Sequence, residues 1–231
     1  MTDDLNAVLA RLDAWLETNA PADHTALNPP AAQDDIDAIA DRRFPLHPDL
    51  VAWLGRHDGV TATKGHGGPG VILPEGFILH GAEGMRAGQR SLEEEIAEWV
   101  DGNESEDPDL RDIYQVYGYL FHVRWVPIAT DITGGKLIVD HRDGDRFGNV
   151  LHGLHAGDTE APVKVWDSLS HMFRDLLAAL TEGTEMRLPG HADPVTPSLS
   201  GTDDDAFVRW GQSGAVIPSR ACARPVNRYG E

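Results

Sequence analysis

Trp125-Val126-Pro127-Ile128-Ala129-Thr130, Lys136-Leu137-Ile138-Val139-Asp140 and Gly148-Asn149-Val150-Leu151-His152 are three short apolar runs, divided by Thr133-Gly134-Gly135 and Asp143-Gly144-Asp145. Glycine reaches left-handed backbone angles without a steric penalty, and aspartate bonds to its own following backbone, so both dividers read as turns. Runs of this length at this spacing predict an antiparallel meander. Pro127 has no N–H to give a ladder, which places it at an edge or a bulge.

Upstream, Leu5, Leu9, Leu12 and Leu16 recur at helical spacing with Trp15 beside them, and Pro21 is read as the end of that helix. A polar stretch through Pro29-Pro30 leads to a second helix with Asp34 and Asp35 in its first turn and Ile36 and Ile39 on its apolar face, closed by Pro45. Asp49 to Leu54 forms a third, with Gly59 available as its terminator. Lys64-Gly65-His66-Gly67-Gly68-Pro69-Gly70 can only be a loop, and without the spacing of a phosphate-gripping motif or a following helix it carries no nucleotide site.

Val71-Ile72-Leu73 and Phe77-Ile78-Leu79, parted by Pro74-Glu75-Gly76, predict a hairpin or bent strand. A helix from near Ala82 would bury Met85, Leu92, Ile96 and Trp99, and a last one, Trp166 to Leu180, would bury Leu169, Met172, Phe173, Leu176 and Leu177 before Gly183 stops it. Parallel βαβ alternation is missing from this order, so the fold class is α+β, with helices packed on a mainly antiparallel sheet. The domain covers 1–184. Pro189, Pro194 and Pro197 make 185–231 a Pro/Gly-rich linker and C-terminal arm, with one further helical turn expected within 203–210.

With 231 residues, 41% of them hydrophobic, the chain is long enough for one sizeable core without staples. The single cysteine, Cys222, excludes an internal disulfide and any multi-cysteine zinc site. Neither an export signal nor a bilayer-length apolar run is read, so a cytoplasmic location without membrane contact is expected. Nineteen basic against thirty-eight acidic residues give a net charge of -19, which repels nucleic acid and attracts basic protein surfaces.

Several of these stretches, in this order, resemble the SMI1/KNR4 family, also called the SUKH superfamily. They are the opening helix with Trp15-Leu16, then Leu27-Asn28-Pro29-Pro30, then Leu46-His47-Pro48-Asp49-Leu50 leading to Trp53-Leu54 and His57-Asp58-Gly59. Ile72 to Leu79 follows, then Trp125 to Asp131, Gly134-Gly135, Val139-Asp140, Gly148-Asn149-Val150 and the closing helix with Ser168 and Phe173. Ala40 departs from a glutamate often found in the second helix, and the arm has no counterpart in the compact family domain. The resemblance implies a non-catalytic binding module, and for bacterial members an immunity protein that neutralises a polymorphic toxin, commonly a nuclease. Fungal relatives are linked to cell-wall synthesis and signalling, which leaves a regulatory or scaffold role, with the arm as a docking peptide, as the alternative.

For the meander two readings stand side by side. In one, Trp125, Val126 and Ile128 fill core while Asp131 and Asp140 cap turns. In the other, Asp131, Asp140 and Asp143 form one rim of a partner-binding face near Glu75 and Asp58, and the partner is a basic protein such as a toxin domain. The acidic run from Glu93 to Asp112 is either a solvated face or a second docking surface. A metal hydrolase would draw on His141, His152 and His155, with His80 nearby, yet no zinc signature appears and no cofactor is expected. Ser168, Ser170 and His171 lack a nucleophile elbow, and Cys222 lacks a base partner in sequence despite Arg220 and Arg224.

Overall fold

The computed structural model describes residues 5–41, 43–62, 67–102, 122–153, 162–188 and 193–212, with the side chains of 93, 95–102 and 212 left aside. The acidic stretch 103–112, Lys64 to His66, His155 and Cys222 lie outside the described residues.

Four helices come first: α1 (Leu5–Asn19), α2 (Pro21–Ala26), α3 (Gln33–Ile39) and α4 (Pro48–Leu54). Pro21 does end α1, and it also begins α2. The missing N–H of proline costs nothing in a first helical turn, and its fixed φ suits that position, which is why a residue read only as a stop is also a start. The second predicted helix is shorter than expected, closing at Ala40 well before Pro45.

A 3-10 turn at Pro74–Gly76 and a two-residue strand β1 (Ile78–Leu79) replace the predicted hairpin. Val71, Ile72 and Leu73 are buried without joining a strand. Then follow α5 (Ala82–Gly102), β2 (Trp125–Thr130), β3 (Lys136–Asp140), β4 (Val150–Gly153), β5 (Val163–Trp166) and α6 (Leu169–Glu182). The five strands pair antiparallel in the order β1-β2-β3-β4-β5, so the meander is present with one strand more at each end. A register shift between Pro127 and Ala129 marks the bulge that proline demands.

Side chains alternate across this sheet. Val126, Ile128, Leu137, Val139 and Val150 join the main core with α1, α4 and α6, where Leu9, Leu12, Leu50, Trp53 and Phe173 are fully buried. Trp125, Ile138 and Leu151 point the other way and meet Leu92 of α5. Helices therefore cover both faces, and β2 and β3 are apolar almost throughout. Gly88 lets α5 come close: a Cβ there would sit 3.2 Å from the Pro127 ring. Ser168 lies just ahead of α6, and its hydroxyl accepts from the His171 N–H; Gly183 closes that helix with φ 70. Last in the sheet order, β5 exposes Val163 and Lys164, and the Lys164 ammonium pairs with Asp167 at 2.7 Å.

Residues 195–212, expected as an extended arm with a helical turn, form a hairpin of β6 (Val195–Ser200) and β7 (Phe207–Gln212) around a 3-10 turn at Asp203–Asp205. The alternation Phe207-Val208-Arg209-Trp210 is a strand pattern, and Val208 is buried while Arg209 faces out. A bridge between Met186 and Val195 and a hydrogen bond from the Trp210 Nε1–H to the Ile72 carbonyl seat the hairpin on the domain. At its centre lies Asp23 of α2, 0% exposed: Oδ1 accepts from the Gly70 N–H at 2.7 Å and Oδ2 from the Val208 N–H at 2.6 Å.

Asp23→Ala leaves both N–H groups buried without an acceptor and should destabilise the protein by about 2–4 kcal/mol in urea titration. Asp23→Asn should lose nearly as much, because its amide turns one acceptor into a donor facing an N–H.

Candidate functional site

The candidate carboxylates are distributed by the β2–β3 ladder. Thr130 pairs with Lys136 at one end and Trp125 with Asp140 at the other, and five residue steps of strand place those ends about 17 Å apart. Asp131 therefore lies at one end of the sheet, and Asp140 and Asp143 at the opposite end. They do not form one rim.

At the far end Asp140 is 1% exposed and gripped by Arg142, whose Nε lies 3.0 Å from both carboxylate oxygens and whose Nη2 donates to Oδ2 at 2.6 Å. The Arg142 guanidinium also sits 5.2 Å over the Trp125 ring. Such a carboxylate holds the sheet end together and is closed to a partner. Asp143 is exposed and pairs with Arg124 at 2.6 Å. Asp58 belongs to a third place: its Oδ1 accepts from the Ala82 N–H at 2.6 Å and caps α5, while its carbonyl accepts from the Asn28 side chain.

The near end carries the groove. Its walls are the 3-10 turn with Glu75 and Gly76, the tip of the β2–β3 turn with Ile132, and the hairpin with Val195, Arg209 and Trp210; it encloses about 250 Å³. Asp131 shapes the tip, its Oδ1 accepting from the N–H groups of Thr133 and Gly135 and from the Thr133 hydroxyl. Ile132 is left 57% exposed at that tip. Glu75 holds left-handed backbone angles, φ 59 and ψ 17, which cost a residue with a Cβ on the order of 1 kcal/mol. A strained acidic residue, an exposed isoleucine and an indole edge thus share one concave surface. Among the described residues it has no paired nucleophile and base; what it can do is receive a protruding side chain.

Of the candidate carboxylates, Glu75 and Asp131 are at this end. Ile132, Arg209 and Trp210 escaped the sequence reading, although an isoleucine inside a turn of Asp, Thr and Gly is out of place there and could have drawn notice.

The histidine candidates separate as well. His152 pairs across the ladder with Leu137, four residues along β3 from His141, or about 13 Å. Among the described residues no group of three His, Cys, Asp or Glu converges on one point. His152 packs edge-on against Phe77, while His141, 1% exposed, lies between Phe44 and Phe147 and donates from Nδ1 to the Val139 carbonyl. Burial lowers the His141 pKa to about 4, with the nearby His47 adding to the effect and the Val139 bond opposing it. Burial likewise lowers His47 and His80. Among the described residues no helix is long and apolar enough to cross a membrane.

A family model described as SMI1 / KNR4 family (SUKH-1) matches residues 30–175, more than half of the chain. The curated proteins yield no match.

Between pH 6.5 and about 4 the unfolded chain takes up a proton at position 141 that the folded protein refuses. Stability is therefore fully present above pH 6.5 and falls towards pH 4, by roughly 3 kcal/mol from this group. Asp23, whose carboxyl burial raises above 3.8, works in the opposite sense just above that value, where stability declines with rising pH. Urea titrations across this range should show a shallower acid loss for His141→Phe than for the native chain.

Proposed function

Because the chain belongs to the SMI1/KNR4 (SUKH-1) family, we propose that it is a non-catalytic protein-binding module of the immunity type, which neutralises a toxin in the cytoplasm by docking onto it. Supporting this are the net charge of -19, which steers basic surfaces towards the chain, and the groove at the near end of the sheet. The observation that carries the reading is Glu75, held in a strained backbone beside the exposed Ile132 and the Trp210 edge. Aromatic and apolar anchors ringed by charge are the usual composition of an interface centre, and strain is retained where a surface must be held in one shape.

In this reading a basic side chain of the toxin enters the groove and meets Glu75, with Asp131 setting the tip and Ile132 packing against the aliphatic stem. A nuclease domain, whose basic cleft binds phosphate, is the partner class that best suits this charge. The remaining acidic surface, Asp143 included, accelerates encounter without contributing much to the final contact. The alternative, a regulatory or scaffold module with the arm as a docking peptide, is less well supported, because residues 195–212 of that arm form a hairpin seated on the domain.

Calorimetry with the purified product of the gene adjacent to this chain's own should give tight binding that weakens as salt rises. Glu75→Lys and Ile132→Asp should each reduce affinity at least about tenfold, and Asp143→Lys should mainly slow association. Equal binding by all three variants, or turnover of a substrate by the purified chain, would overturn the proposal.

A further inference from the structure

Flanking the sheet-facing side of α5 lies a second groove, of about 360 Å³, between the end of α3 and the first turns of α5. Arg86 and Arg90 are one helical turn apart on one wall, Arg43 stands on the other, and Ile39, Asp41 and Gln89 also line it. The chain has only nineteen basic residues against thirty-eight acidic ones, so three arginines about one concavity, against a single aspartate, invert the local sign of charge. Neither Arg86 nor Arg90 makes an ion pair among the described residues; the Arg43 Nε donates to the Ala40 carbonyl at 3.3 Å.

Gln89 supplies the second, independent observation. It is 4% exposed, and neither its amide nitrogen nor its amide oxygen has a hydrogen-bond partner among the described residues. Leaving both ends of a buried amide unmade destabilises the fold, and a leucine of similar size would avoid that cost. Retaining glutamine there is explained if a ligand completes it.

We propose that this groove binds an acidic residue of an extended peptide segment from a partner protein: the side-chain carboxylate is held by the forked N–H groups of Arg86 and Arg90, and the peptide group beside it pairs with Gln89. Arginine guanidinium matches a carboxylate in bidentate geometry. A bare oxyanion would satisfy only the donor end of Gln89, whereas a peptide group offers a donor and an acceptor together. A polyanion such as nucleic acid would be repelled along its length by the rest of the chain, while one or two acidic side chains carry too little charge for that to decide the outcome. Gly88 turns its backbone towards Pro127, so the sheet fixes the helix segment that presents Arg86 and Arg90.

The test is an NMR titration of the full chain with the acetylated, amidated tetrapeptide Gly-Glu-Glu-Gly, with its Gly-Gln-Gln-Gly counterpart and with inorganic phosphate. The acidic peptide should shift the Gln89 side-chain amide resonances saturably and bind at least about tenfold more tightly than either control. Arg86→Ala and Arg90→Ala, both at the groove wall, should each weaken it severalfold. Gln89→Leu should raise the melting temperature and weaken the peptide equally. Phosphate binding as well as the peptide, unchanged binding in Arg86→Ala, or an absence of saturable shifts would overturn the assignment. None of these readouts involves Glu75 or Ile132, so they stand apart from the toxin-docking experiment.

Discussion

The pairing of β2 with β3 is the constraint on which the other parts depend. Because successive side chains leave a strand on opposite faces, one register sends Val126 and Ile128 into the helical core and Trp125 towards α5. A slip by one residue would exchange those two sets and leave neither core filled. Its length fixes the separation of Asp131 from Asp140 and of His141 from His152. The ladder therefore decides which polar residues share a site before any of them meets a ligand.

A second level of organisation ties the ends of the chain to this frame. Asp23, early in sequence, reaches a hairpin more than 180 residues later, with |i−j| of 185 to Val208. Isolated carboxylates are costly to bury, and this one is tolerated because each oxygen receives a backbone N–H. The groove at Glu75 has the hairpin as one wall, so the same bond that holds the hairpin also shapes the surface proposed above for docking. Asp13 performs a similar service between α1 and the residue pair after α4, meeting Arg56 at 2.6 Å and His57 at 3.0 Å.

The fold was legible where side-chain period and turn chemistry agree. Gly134, Gly144 and Gly183 each take the left-handed backbone their positions predict, and the strands between them run where the short apolar runs put them. Legibility failed where one residue has two roles or where pairing is tertiary. Pro21 stops one helix and starts another; Val71 to Leu73 are apolar enough for a strand yet are buried by packing alone. The hairpin at 195–212 hid behind its prolines, since Pro197 faces Trp210 in a two-stranded sheet with an open side, where a missing N–H is tolerated. As for the candidate site, acidic residues could be read from sequence, but their division between the two sheet ends could not. A charge has no address until the register is known.

The outermost strand of the meander has a consequence for behaviour at high concentration. Beyond β5, among the described residues, the sheet has no further strand, and such a border can recruit a strand from a neighbouring molecule. Here it is four residues long and interrupted by Lys164, whose ammonium would have to be stripped of water for edge-to-edge stacking to proceed. Brevity and one well-placed cation thus act as a guard against fibrillar self-association, at the cost of nothing in the core.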